Sequence, residues 1–105
     1  MRWLEPASLD LIEIAEFVYR DKPTAARKLT REILSVAAQI GKQPRSGRIV
    51  PELQTKGVAD YREILVGPYR VIYEVLPNVA DVHAVIDSRR DLETILFERL
   101  MRKNR

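Results

Sequence analysis

The chain has 105 residues, 46% of them hydrophobic and 31% charged, with a formal net charge of +3. That balance fits one modest folded domain and excludes a disordered chain. With no cysteine, disulfide scaffolds and thiolate metal sites are excluded, and a reducing cytoplasm is the expected home.

Residues Met1 to Leu4 read as a short first strand, with Trp3 and Leu4 as its bulk. There is no apolar leader there, so no signal peptide is expected, and no apolar run reaches the roughly 20 residues of a membrane span. Pro6 suits the first turn of a helix, where its missing N–H costs nothing. Leu11, Ile14, Ala15 and Val18 then share one helical face. Pro23 disfavours helical geometry at Lys22 and closes that helix. Thr24 is the expected N-cap of a second helix, whose stripe is Leu29, Ile33, Val36, Ala37 and Ile40. Gly41 and Pro44 end it. So short a link makes the two helices an antiparallel hairpin.

The stretch "KQPRSGRIVPEL" reads as a loop punctuated by Gly47 and two prolines. Tyr61 to Val66 is a strand, Gly67-Pro68 a tight turn, and "YRVIYEVL" the next strand, ending near Leu76. Pro77-Asn78 turns the chain into a strand from Val82 to Ile86, apolar enough to be central or covered. Asp91 caps a last helix from Leu92 to about Met101, with Leu92, Ile95, Leu96 and Leu100 on one side. Short turns imply an antiparallel meander, and helices followed by strands imply an α+β domain with the hairpin on one face of one sheet. No repeat or second domain interrupts residues 1–105.

Most catalytic constellations are missing from the sequence. His83 is the only histidine and lies in an apolar strand, where packing is a better account than ligation. No glycine-rich phosphate loop, paired carboxylates or metal-ligand spacing stands out, so no cofactor or metal is expected. Arginine remains. Arg62 and Arg70 lie on adjacent strands, and Arg89 and Arg90 follow the last strand; Arg45 and Arg48 of the loop could join the same edge. Guanidinium groups hold their charge and grip phosphate with a two-pronged fork, so a cluster is a candidate anion clamp. The competing account is a structural ion-pair lattice, Arg70 with Glu63 or Glu74, and Arg89 or Arg90 with Asp87 or Asp91. The first helix also carries Leu9, Ile12, Phe17 and Tyr19 outside its main stripe. They mark either a surface for a protein partner or burial under the last helix.

In order and spacing, these segments resemble the RelE/ParE superfamily of toxins from bacterial toxin–antitoxin pairs. The likeness covers nearly the whole chain: Trp3 in the first strand, "ASLDLIEIAEFV", "AARKLTREILSVAAQI", the "PRSGRIVPEL" loop, "YREILVGPYRVIYEV" and "IDSRRDLETILFERL". The resemblance implies a helical hairpin on an antiparallel sheet. It also implies a cognate antitoxin that wraps the toxin, with DNA bound only through that complex. RelE-like members cut messenger RNA on the ribosome, whereas ParE-like members inhibit DNA gyrase. Arg70 and Arg89 match two arginines of the RelE-like site. The RelE-like lysines on the preceding strand are replaced by Tyr61, Arg62 and Glu63, and no tyrosine or histidine follows Arg90, where Ile95 and Phe97 stand instead. Tyr61, Tyr69 and Tyr73 substitute only if they reach the site. The resemblance therefore favours a gyrase inhibitor without catalysis of its own. The alternative is an mRNA endoribonuclease using Arg70 and Arg89. A third possibility is an inactive module bound to its antitoxin. In the favoured reading Arg62, Arg70, Arg89 and Arg90 are candidates for target binding, and Leu9, Ile12, Phe17 and Tyr19 for antitoxin binding.

Overall fold

The computed structural model describes residues 1–103, with side chains described as far as Arg99. Strand β1 (Arg2–Trp3) leads into helices α1 (Glu5–Asp21) and α2 (Pro23–Lys42). Next come β2 (Arg48–Ile49), the single turn α3 (Pro51–Gln54), β3 (Tyr61–Val66), β4 (Tyr69–Val75), β5 (Ala80–Asp87) and α4 (Leu92–Lys103).

One residue, Lys22, both ends α1 and precedes α2. It sits at φ −142° and ψ 90°, outside the helical region, as the proline that follows it demands. Pro23 is itself the first residue of α2, where no N–H is needed, so Thr24 lies inside the helix rather than capping it. The twelve residues read as one loop after α2 contain β2 and nearly all of α3, each too short to show a periodic pattern.

The sheet runs β1-β5-β4-β3-β2. All neighbours are antiparallel except β1, which lies parallel to β5 with Trp3 beside Val82. Gly67 enters the β3–β4 turn at φ +56°, a conformation that a side chain would strain. That two-residue turn pairs Val66 with Tyr69 and so fixes the whole register, Leu65 opposite Arg70 and Arg62 opposite Tyr73.

Both faces of the sheet are covered. The α1–α2 hairpin buries Ala7, Ile33 and Ile40 against Val71, Tyr73, Val82 and Val85 on one face. On the other, α3 and α4 bury Leu92 and Leu96 with Val50, Ile72, Ala84 and Ile86. This double cover is why β5 is apolar almost throughout. Leu92 and Leu96 do line the inner side of α4, with Ile95 packed beside them; the Leu100 side chain lies outside the described residues. Beyond β1, the outer edge of β5 is closed by side chains. Asp10 of α1 accepts the Val85 N–H at 3.0 Å, and Arg99 of α4 grips Asp10 while donating to the His83 carbonyl. Such a covered edge does not recruit another strand.

Candidate functional site

The period of two along a strand decides what the arginines can do. Arg70 shares a face with its cross-strand neighbour Leu65 and with the Glu63–Ile72 pair, whereas Arg62, opposite Tyr73, belongs to the other face. The two do not form one edge.

Arg70 is spent on carboxylates. Its Nε donates to Glu63 Oε1 at 2.6 Å, and Nη1 and Nη2 donate to the two oxygens of Glu52 at 2.6 and 2.7 Å. Glu63 is fully buried and its second oxygen accepts from Arg48 Nε at 2.6 Å. The result is an alternating row, Arg48–Glu63–Arg70–Glu52, tying β2, β3, β4 and α3 together. Of the alternatives in the sequence, the lattice partner is Glu63, with Glu52 added; Glu74 instead bonds His83 at 2.9 Å. The Arg70 side chain is only 8% exposed, and the Glu52 and Glu63 hydrogen bonds hold its proton more firmly still. The same Arg70 bonds pull the Glu52 carboxyl down to about 2. A guanidinium so occupied offers no free fork to a phosphate.

Arg62 turns towards the loop before β2. Its Nη1 donates to the Gly47 carbonyl at 2.8 Å and lies 3.4 Å from that of Arg45. Tyr73, beside it on the same face and fully buried, donates its hydroxyl to the Pro44 carbonyl at 2.6 Å and accepts the Gly47 N–H at 3.0 Å. Arg62 and Arg70 thus hold the same stretch of chain, residues 44–52, from the two faces of the sheet.

Arg89 and Arg90 remain at the surface. Arg89 closes a two-pronged contact with Asp87, at 3.0 and 2.7 Å, as the sequence allowed, with its side chain 85% exposed. That contact draws the Asp87 carboxyl down to about 2. Arg90 is exposed and makes no ion pair among the described residues. Tyr61, half-buried and edge-on to His83 with ring centres 5.2 Å apart, has its hydroxyl pushed up chiefly by burial. Tyr61 is in the core formed with α3 and α4, and Tyr69 and Tyr73 pack in the core under the hairpin, so the three do not gather at Arg70. Among the described residues no group of His, Cys, Asp or Glu is arranged to hold a metal ion, and no helix is long and apolar enough to cross a membrane.

The surplus apolar residues of α1 stay in the open. Leu9, Ile12, Phe17 and Tyr19 are 50 to 68% exposed, so α4 does not cover them. At 100° per residue, Leu9, Ile12 and Tyr19 make one stripe opposite the buried Ala7 and the partly buried Leu11, Ile14 and Val18. Beside them, Tyr19, Ala15, Ala26 and Thr30 form a groove of about 560 Å³ between α1 and α2, edged by Arg27 and Arg31.

A family model described as "ParE toxin of type II toxin-antitoxin system, parDE" matches residues 1–92. No curated protein gives a significant match. Among solved structures, one titled "Chromosomal ParDE TA system from P. aeruginosa" aligns with a TM-score of 0.67 at 17% identity, covering 82% of this chain and 91% of that one. At that identity the alignment speaks for the fold alone.

Proposed function

The chain belongs to the ParE toxin family of type II toxin–antitoxin systems, and from that premise we propose that it acts in the cytoplasm by inhibiting DNA gyrase. A cognate antitoxin is its partner, and we assign to that partner the exposed apolar residues of α1, Leu9, Ile12, Phe17 and Tyr19. The observation that carries the target reading is the state of Arg70. An mRNA endonuclease built on Arg70 and Arg89 needs a guanidinium free to meet the scissile phosphate, and Arg70 already spends its Nε and both Nη groups on Glu63 and Glu52. The carboxylates beside it, Glu63 and Glu52, are themselves taken up in ion pairs, and Tyr69 and Tyr73 lie on the other face of the sheet, which leaves no free acid or base at Arg70. A toxin that works by occupying a protein needs neither.

The test is a supercoiling assay with purified gyrase, relaxed plasmid and increasing toxin, beside a coupled translation reaction. Inhibited supercoiling with intact translation is expected, together with relief on adding antitoxin. Normal supercoiling at saturating toxin, with messages cut inside codons on translating ribosomes, would replace this reading with the endonuclease. For the antitoxin surface, Ile12→Glu and Phe17→Glu are expected to weaken capture by tagged antitoxin while leaving the melting temperature of the toxin unchanged. Undiminished capture would move the antitoxin to another face.

A further inference from the structure

The chain between α2 and β2 is irregular yet firmly held. Tyr73 and Arg62 bind the carbonyls of Pro44 and Gly47 and the Gly47 N–H, and the Ser46 N–H reaches the Gln43 carbonyl at 3.0 Å. Gly47 has no room for a side chain, because a Cβ would stand 2.6 Å from both the Glu63 carbonyl oxygen and the Tyr73 hydroxyl. The backbone is fixed from inside, but Arg45 on its outer surface is exposed and makes no ion pair among the described residues. Next to it opens a groove of about 820 Å³ whose lining includes Pro44, Val75, Leu76 and Pro77, with Arg45 and Asp60 of opposite charge beside them. A loop whose ordering is complete before binding has less entropy to lose on contact, and arginine is favoured as an anchor in such contacts.

We propose that this loop and groove are the surface through which the toxin meets its target protein. Arg45 pairs with a carboxylate of that protein, Asp60 with a basic group, and the apolar lining receives an apolar side chain between them. The opposed charges set the orientation of the partner segment. Apolar lining and an acidic residue in the groove favour protein over a nucleic-acid backbone, which presents a row of phosphates. The inference rests on the reading of the chain as a toxin with a protein target, and it names the face.

Arg45→Glu reverses the exposed charge at the groove without touching the bonds that hold the loop, so its folding is checked simply by an unchanged thermal melt. The variant is expected to inhibit gyrase about tenfold less potently, or worse, with antitoxin binding intact. Equal potency of variant and parent overturns the proposal and leaves the gyrase reading standing. A parent toxin without effect on gyrase overturns that reading instead. Growth arrest on induction without antitoxin, compared for the same two proteins, then decides the proposal. Arrest lost in the variant supports it; arrest equal in both, or absent from both, overturns it. It also falls if the variant loses the antitoxin, or if the parent binds a short DNA duplex that the variant does not.

Discussion

Arg70 and Glu52 meet fork to fork, two parallel N–H···O bonds of 2.6 and 2.7 Å joining a buried strand to the single turn of α3. With Glu63 and Arg48 they form a row in which each inner charge touches two of opposite sign. Burying the inner pair is costly, and breaking it costs more, because Glu63, fully buried, has no water to turn to.

Arg70→Ala strips Glu63 and Glu52 of their shared partner. The expected loss is about 3–5 kcal/mol in unfolding free energy, read by urea titration. Arg70→Lys, a point charge that cannot serve both carboxylates with a planar fork, falls in between. Arg89→Ala at the surface leaves the midpoint where it was. Any toxicity lost with Arg70→Ala then traces to the fold, and a stable Arg70→Ala protein would contradict this.

Acid should weaken the same row in a definite window. Arg70 lowers the Glu52 carboxyl from 4.5 to about 2, so the contact stabilises the fold above the ordinary value and is lost as pH falls towards the lower one. Stability measured by urea unfolding should decline from about pH 4.5 to about pH 2. Glu52→Gln should be less stable at neutral pH and show a shallower decline. The same slope in both proteins would place the acid sensitivity elsewhere.

Gly47→Ala inserts a methyl group 2.6 Å from two oxygens, so the loop or Tyr73 must shift. Tyr73→Phe keeps the shape but leaves the Gly47 N–H and the Pro44 carbonyl without the hydroxyl. The latter is expected to cost about 1–3 kcal/mol. Gly47→Ala should cost more, and the two changes together less than their sum, since both release the same loop. A double-mutant cycle measures this; simple additivity would show that the loop is not the shared element.

Asp10 serves two groups, the Val85 N–H and Arg99. Asp10→Ala should speed amide exchange at Val85 by roughly ten- to a hundredfold, as expected for losing a hydrogen bond to a charged acceptor. Arg99→Ala should leave that amide protected while loosening α4. Identical exchange profiles for the two variants would mean that Asp10 protects Val85 only by holding Arg99.

Much of this was readable in advance. The helical stripes around Ile33 and Leu92, the Gly67-Pro68 turn and the meander follow from periodicity and turn chemistry. The parity of the arginines was also readable, though the strands taken singly hid it. A two-residue turn at Gly67-Pro68 already sets Leu65 against Arg70 and Arg62 against Tyr73, on opposite faces. What the sequence could not supply is contact between distant short elements. Glu52 sits on one turn of helix with no periodic signal, and Asp10 reads as ordinary surface charge until Arg99, 89 residues away, is folded against it. The exposure of the α1 stripe likewise depended on where α4 would lie.

The parallel pairing of β1 with β5 has a consequence for the order in which the molecule is made. Trp3 emerges among the first residues in synthesis, yet its partner Val82 comes 79 residues later. The helical hairpin and the β3–β4 turn can form locally as they appear, but the sheet stays open until residues 80–87 arrive to join its two halves. A nascent chain short of that point lacks the centre of its fold. Helix α1, whose inner face packs on β5, is therefore made long before the strand that covers it, and that face waits for residues 80–87 to arrive.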